Sequence, residues 1–563
     1  MSLKNLLNHH EFGLYEKRLC FLLFLSSIPN IFPTMQVIVN QYTPPHSCDL
    51  TKQVKQFGST TNESLEEFMF NITIPFETNV LSGTKKRSSC NQYNVSLQSI
   101  QSFILGKVNS SYFLHQNTST NIVPCTSFQF QGEEKSAVTE FGLICNQAWQ
   151  RPLFTTMFML GMLISSFLGG FISDRIGRKV TFLVFTYAQF VIAFITSFVN
   201  NTILYGIMVF LAGASTLVNY AAASVIGSEF VHPDLRSFTY FALGTGYGVG
   251  YMLLAPVMYF IRDWRWFMRF AALVGIPYIS YIWLIDETPT WLAANKKYKQ
   301  LRNVLNKISE MNQKQKTREE IMETLSLKTS VMETSSHSWM EIVKSLTMMG
   351  RLIIVGFSWL AVSMTYFAIS FNSNNLSGDR FMNVFYAGAM ELLSVAGCYF
   401  FVQYCGRRKS YMISMGVCGI SIALSPFATK WNGELVVFIS MLSKLMSGLT
   451  FALIFIYTLE IFPTYYRHFL LGICSSCARL GGIISPYIIY AGEEGETLAP
   501  SLCMAGITLL SVALYIFLPE TNGQPLPQSV EDAVKMKGIL NFTCFASAKH
   551  SRKEETENLK EQL

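Results

Sequence analysis

Charge is scarce in this chain. Of its 563 residues only 14% are Asp, Glu, Lys or Arg, against about 25% in ordinary soluble domains. A soluble chain of this length would divide into several domains, each needing a polar coat, and the charges to supply that coat are missing. Histidine is scarce as well, with eight residues and no cluster beyond His9-His10. Nothing resembles the Gly-rich phosphate loop of an ATPase, a dinucleotide fingerprint or the paired-cysteine spacing of a metal site. These absences exclude a coiled coil, a disordered chain and a nucleic-acid binder, and they speak against direct ATP drive and against an enzyme. No cofactor and no metal is expected. Apolar residues are abundant instead: 50% of the chain is hydrophobic and 14% aromatic. The net charge of +7 is carried by short clusters between apolar runs, the positive-inside pattern of a polytopic membrane protein.

A helix needs about 20 mostly apolar residues to cross a bilayer. Such runs lie near 19–39, 153–172, 180–199, 203–226, 238–260 and 267–285, then near 352–371, 381–404, 411–427, 435–457, 469–490 and 501–518. The pattern predicts an all-α membrane protein of twelve helices in two halves. Its parts are an N-terminus (1–18), a six-helix half (19–285) that includes a long loop (41–150), a polar connector (286–350), a second six-helix half (351–518) and a tail (519–563). The first run exceeds the apolar core of a signal peptide, and His9-His10-Glu11 is unlike a basic leader, so it is read as a span. The clusters Arg175, Arg178 and Lys179; Arg407, Arg408 and Lys409; and Lys296, Lys297, Lys299, Arg302 and Lys307 all fall on one side. That side, with both termini, is predicted to be cytoplasmic. In the connector, 310–323 reads as a short amphipathic helix, and the tail from Ser551 as a solvated charged end.

The loop 41–150 then faces outward. It holds five N-x-S/T acceptors, at Asn62, Asn71, Asn94, Asn109 and Asn117, and four of the 12 cysteines, Cys48, Cys90, Cys125 and Cys145. An even set in an oxidising compartment predicts two disulfides, with three connectivities open. The remaining cysteines read as small apolar packers or, for Cys544, as part of the tail.

Gly169-Gly170-Phe171-Ile172-Ser173-Asp174-Arg175-Ile176-Gly177-Arg178-Lys179 joins spans two and three, and Cys405-Gly406-Arg407-Arg408-Lys409 sits at the matching place after span eight. Two halves with matching basic turns have the form of an internal duplication. The ordered acid–base string resembles the major facilitator superfamily. More narrowly, nearly the whole chain resembles the organic cation, anion and carnitine transporter family of solute carriers. The resemblance rests on the long first loop, on Glu140-Phe141-Gly142-Leu143-Ile144-Cys145-Asn146, on Glu287-Thr288-Pro289-Thr290-Trp291-Leu292, on the run Tyr457 to Thr464 with Arg467, and on Leu518-Pro519-Glu520-Thr521. It implies alternating access, with Asp174, Arg175, Gly177, Arg178, Lys179, Glu229, Arg236, Arg407, Glu460 and Arg467 forming a conformational latch. The chain departs from the family at Val209 and Thr290, where Arg is usual, at Asp286, where Pro is usual, and at Asn146 in place of Asp. The two lost arginines are expected to thin the charge network on the cytoplasmic side.

An ionisable residue inside a span is costly unless paired or wet, so it is a candidate for function. Glu391 lies midway along span eight and Arg479 midway along span eleven. A packing ion pair between them is the bland alternative. Arg binds carboxylate or sulfate with a planar fork. By the resemblance, the position of Arg479 is acidic in cation carriers and Arg in anion and carnitine carriers, while a Lys seen in anion carriers is Val395 here. Tyr366 and Phe367 resemble aromatics that line the family's site. Tyr259, Phe451 and Phe455 are further aromatic candidates, and Asn30 a polar one. The expected function is secondary transport of organic anions or carnitine-like zwitterions across the plasma membrane. The partners are a small organic ion, the bilayer and a coupling or exchange ion. A cation carrier and a non-transporting scaffold are the alternatives, which an uptake assay separates.

Overall fold

A computed structural model describes residues 13–49, 73–78, 85–93, 122–231, 236–312, 340–493, 498–524 and 526–536. Twelve of its helices are long and apolar enough to cross a membrane. The main helix of each span is α1 (Leu14–Thr34), α2 (Gln150–Ile176), α3 (Arg178–Thr196), α4 (Thr202–Phe230), α5 (Arg236–Phe260), α6 (Trp264–Leu273), α7 (Leu346–Phe371), α8 (Arg380–Tyr404), α9 (Arg407–Ala428), α10 (Gly433–Ile461), α11 (Arg467–Glu493) and α12 (Leu498–Tyr515). The chain crosses at every helix, so one end of the bundle carries the long loop and the other the basic turns; these are called the loop end and the basic end.

Two spans differ from the hydropathy reading, each for a local reason. α1 starts at Leu14, ahead of the apolar run, because its first turns have polar partners. Glu16 is buried and accepts from Asn312 Nδ2 at 3.0 Å, while Tyr15 OH donates to Asp286 at 3.1 Å. After Met35 it continues as Gln36–Asn40. α6 stops at Leu273 and the crossing is completed by the 3₁₀ turn Ile276–Ser280 and the helix Tyr281–Leu284. Pro277 cannot donate within a helix, and Gly275 lies against the Phe190 ring, where a Cβ would not fit.

Within the first half, α1 packs on α5, and α2 and α3 on α4; within the second, α7 packs on α11, α9 on α10 and α12, and α8 on α10. The halves meet along two seams, α5 with α8 and α2 with α11. Glycine sets the closest approaches. A Cβ on Gly161 of α2 would collide with the Phe210 carbonyl of α4, and one on Gly388 of α8 would lie 2.5 Å from the Met252 nitrogen of α5. Such contacts replace the hydrophobic drive that lipid does not supply. Outward, the bundle presents Phe167, Phe194, Phe198, Trp283, Phe400 and Phe438, the apolar wall that a bilayer requires.

The long loop is held by short antiparallel pairs. β1 (His46–Cys48) pairs with β6 (Phe128–Phe130), β2 (Phe76–Thr78) with β3 (Lys85–Arg87), and β4 (Asn91–Tyr93) with β5 (Ile122–Pro124). Of the three connectivities open to the loop cysteines, the fold shows Cys48–Cys125 and Cys90–Cys145. The helix Ala137–Phe141, capped by Ser136 and Thr139, docks the loop on the bundle. There Glu140 accepts from Trp264 Nε1 and Arg265 Nε, both at 2.9 Å. The five acceptor sites Asn62, Asn71, Asn94, Asn109 and Asn117 lie outside the described residues.

Most of the expected connector helix 310–323 lies outside the described residues, and ahead of it an amphipathic helix runs Tyr298–Met311. Its buried stripe of Leu301, Val304 and Ile308 recurs every three or four residues, a period that the lysines around it mask. The charged tail lies outside the described residues. Just before it, Val530–Lys535 is tied to α7, where Arg351 donates to the Ala533 and Met536 carbonyls at 2.5 and 3.0 Å.

Candidate functional site

Ionisable residues from three helices of the second half point toward the middle of the bundle. Glu391 of α8 does not pair with Arg479. Its partner is Lys444 of α10, a residue the sequence reading passed over, with Nζ 3.0 Å from Glu391 Oε2. Lys444 is fully buried, at 1% exposure. Its ammonium also donates to Ser370 Oγ at 2.8 Å and stands 3.5 Å from the centre of the Tyr366 ring. The Tyr251 ring centre is 5.4 Å away. Tyr366 OH in turn donates to Glu391 Oε2 at 3.0 Å. The ammonium is thus met by a carboxylate, a hydroxyl and an aromatic face, and the carboxylate by two donors. Lys444 sits midway along α10, so the rule that singled out Glu391 and Arg479 applies to it equally.

Arg479 is different. Its Nε is buried and has no hydrogen-bond partner among the described residues. Around it lie Tyr240 and Tyr247 of α5, within electrostatic reach. The first half therefore contributes tyrosine and the second half charge. Aromatic rings continue from this centre toward the basic end: Phe451 is 5.3 Å from Tyr366 and 5.8 Å from Trp359, and Phe455 is 6.0 Å from Trp359 and 4.8 Å from Tyr240. Phe367 packs edge-on to Tyr366 at 5.3 Å. Asn30 is buried on α1, its Oδ1 without a hydrogen-bond partner among the described residues. Tyr259 is not brought to this group: it is half exposed at the loop end of α5, edge-on to Phe381 and 5.7 Å from Arg262.

The basic end holds one arrangement twice. In the first half Glu287 accepts from the backbone N–H groups of Arg178 and Lys179 at 2.9 and 3.1 Å, capping the start of α3. In the second half Glu520 accepts from those of Arg407 and Arg408 at 2.9 and 3.1 Å, capping α9. A carboxylate is favoured at a helix N-terminus, where unpaired N–H groups and the helix dipole converge. Gly177 and Gly406 precede the two helices with φ of 118° and 80°. A Cβ on Gly177 would run into the Glu287 carboxylate. Arg178 then reaches Glu229 at 3.4 Å and Arg407 reaches Glu460 at 3.1 Å. Thr290 donates to Glu229, and Thr521 to Glu460 at 2.6 Å. The copies differ in one arm. Arg178 pairs with Asp174 at 2.8 Å, whereas Arg407 takes Asn522.

Each of these ion pairs joins two residues of a single half. The expected latch residues Asp174, Arg178, Glu229, Arg407 and Glu460 are thus brought together in two separate clusters. Lys179 joins the first by its backbone alone. Arg175 lies exposed over the Phe171 ring at 4.2 Å, and Arg467 donates to Thr464 at 3.3 Å. The side chain of Arg236 lies outside the described residues. One expectation about the lost arginines needs correction. Val209 is buried near the loop end of α4 with Phe154 and Tyr205, away from the basic turns. Thr290 keeps a bond to Glu229, and Asp286 is held by Lys307 at 2.7 Å.

Contacts between the halves are polar at the loop end. Arg380 of α8 is bonded to Glu134 and stacked on Tyr42, 3.6 Å from the ring centre. Asn374 donates to the Ile38 carbonyl at 2.6 Å, and Arg151 lies 5.8 Å from the Tyr490 ring. These contacts close the bundle over its centre on the loop side.

Twelve helices in two similar halves, with a charged and aromatic centre between them, define a transporter of the major facilitator type and not an enzyme. The profile of the sugar (and other) transporter family matches residues 88–532, and the chain belongs to that family. Organic cation/carnitine transporter 2 of Rattus norvegicus is 28% identical over 535 residues, covering 94% of each chain. Organic cation transporter protein of Drosophila melanogaster is 28% identical, covering 93% of this chain and 92% of its own. Among solved structures, the partially occluded inward-open xylose transporter XylE from E. coli superposes with a TM-score of 0.54 at 15% identity, covering 70% of this chain and 91% of its own. A D-xylose-proton symporter gives 0.53 at 13% identity, covering 91% and 100%. Both are likenesses of fold.

Proposed function

We propose that the chain carries organic anions or zwitterions across the plasma membrane, by alternating exposure of the central site between the halves. The basic end faces the cytoplasm in this reading, since the three basic clusters share it and the disulfide-bonded loop with its five acceptor sites lies opposite. One observation carries the choice of substrate: Glu391 is neutralised by Lys444, while Arg479 Nε has no partner among the described residues. The centre therefore has an uncompensated positive charge, and a carboxylate or sulfate completes it with charge-assisted hydrogen bonds. Tyrosine and phenylalanine rings hold the apolar body without strict geometry. The relatives are named for organic cations as well as for carnitine, and of these carnitine, a carboxylate joined to an ammonium, carries the anionic group that this reading requires.

The test is uptake of estrone sulfate, carnitine and tetraethylammonium by cells expressing the chain, with surface abundance measured in parallel. Arg479→Lys keeps the charge but loses the fork. A charge-assisted bond contributes about 1.5–3 kcal/mol, so the affinity for the anion falls by roughly tenfold to a hundredfold. Arg479→Asp abolishes anion uptake. Because Glu391 is held by Lys444, neither change leaves Glu391 without its cation. Unchanged selectivity in a well-expressed Arg479→Asp variant defeats the proposal.

A further inference from the structure

The surroundings of Lys444 are those of a ligand site for an organic ammonium. An aromatic face at 3.5 Å, a second ring at 5.4 Å, a carboxylate at 3.0 Å and a hydroxyl at 2.8 Å converge on one nitrogen. Aromatic faces with a carboxylate are how proteins recognise quaternary and alkylated ammonium groups. Here the occupant belongs to the chain. Lys444 reaches the cage from α10, Tyr366 and Ser370 belong to α7, Glu391 to α8 and Tyr251 to α5, so both halves build it.

We infer that Lys444 is a tethered occupant of an ammonium-binding cage, and that its presence sets the selectivity of the carrier. With the cage filled, a substrate's own ammonium group has no carboxylate to meet, and only its anionic end is recognised, at Arg479. The inference rests on the anion reading above and sharpens it: plain organic anions are preferred over carnitine-like zwitterions, and organic cations are excluded. Removing the Lys444 ammonium opens the cage. The site then carries a negative Glu391 framed by Tyr366 and Tyr251, together with a positive Arg479, which suits a zwitterion and admits a cation.

The experiment compares the full-length chain with Lys444→Met in cells, using estrone sulfate, carnitine and tetraethylammonium and normalising to surface abundance. Lys444→Met raises the uptake of tetraethylammonium and of carnitine relative to estrone sulfate by about tenfold or more, the scale of a desolvated cation–π contact with a carboxylate. The variant Glu391→Gln/Lys444→Met removes both charges and reverses that gain. A surface-expressed Lys444→Met variant with unchanged ratios overturns the inference, and so does a double variant that keeps the gain. Should Lys444→Met be retained inside the cell, triethylamine, which crosses membranes as the free base and protonates in the cage, restores its surface abundance; retention that the amine does not relieve also overturns it. The two readings fail separately. If the unaltered chain moves no estrone sulfate yet Lys444→Met acquires tetraethylammonium uptake, the Arg479 reading falls and the tethered occupant stands.

Discussion

The two ends of the bundle are fastened in opposite ways. At the loop end, polar contacts run from one half to the other, through Arg380 with Glu134 and Tyr42 and through Asn374 with the Ile38 carbonyl, and disulfides secure the loop above them. At the basic end, Arg178 with Glu229 and Arg407 with Glu460 brace each half internally, in two copies of one design. The structure thus describes a state closed on the loop side. The expected latch residues Arg178, Glu229, Arg407 and Glu460 pair here within a half, beside the carboxylates of Glu287 and Glu520 that cap the turns after α2 and α8. A helix N-terminus with a carboxylate on it is a rigid joint, and rigid halves are what a rocking motion needs.

The largest effect comes from undoing the covalent part of the loop end. Removing a native disulfide costs about 2–5 kcal/mol, so Cys48→Ser and Cys125→Ser each lower surface abundance severely and to the same degree, and combining them is no worse. Cys90→Ser and Cys145→Ser behave as a second equivalent pair. Alkylation followed by mass measurement reads the freed thiol, and a Cys48→Ser variant that frees a cysteine other than Cys125 would refute the connectivity. Next is Arg380→Ala, which removes a charge-assisted bond between the halves, worth about 1.5–3 kcal/mol. The loop-closed state then loses roughly tenfold or more of its population. A cysteine placed at Asn374 should react with an external maleimide faster by that factor, and an unchanged rate would show that Arg380 is no fastening.

The basic end tests the other side of the contrast. Arg178→Ala and Arg407→Ala should each reduce the maximal uptake rate by about tenfold with little change in apparent affinity, because they loosen a joint far from the substrate. Asp174→Ala should change the rate by less than about fivefold, since its carboxylate is 70% exposed and surface pairs contribute about 0–1 kcal/mol. Equal losses at Asp174 and Arg178 would contradict the picture of a buried cap with an exposed arm. The smallest effect is a pH dependence at the loop end. The Arg265 guanidinium holds the Glu140 carboxyl below its ordinary pKa against the opposing effect of burial, and the Trp264 indole adds to it. A depressed carboxyl stabilises above its unfolded value and ceases to as pH falls through its folded one. Protease nicking of the loop should therefore be flat from neutral pH down to the ordinary carboxylate range and rise only below it. Glu140→Gln should nick faster already at neutral pH, and a flat profile across the whole range would remove Glu140 as the anchor.

Hydropathy made the twelve crossings and the two halves readable in the sequence, because apolar runs of that length have no other use. It erred where polar groups find partners far along the chain. Glu16 fell in the N-terminus (1–18) because nothing nearby in sequence announces Asn312. The partner of Glu391 was hidden for the same reason. Glu391 and Arg479 were visible as charges, but which cation faces Glu391 depends on how α8, α10 and α11 are rotated, and that is decided by packing. Lys444 could have been noticed by its depth in a span; its partnership could not. The duplicated basic turns were visible as Gly-Arg pairs, whereas the role of Glu287 and Glu520 as caps required the turns to be folded.

The glycine seam between α5 and α8 has a mechanical meaning. Gly388 brings the α8 backbone against that of Met252, and Gly248 faces Leu392 across the same joint. Interlocked side chains must change rotamer when two bodies slide, and each change adds a barrier. Backbone surfaces separated by glycine have few teeth to disengage. The seam thus works as a low-friction bearing: a methyl group added at Gly388 would act as grit, leaving the electrostatics of the centre intact while raising the cost of every stroke.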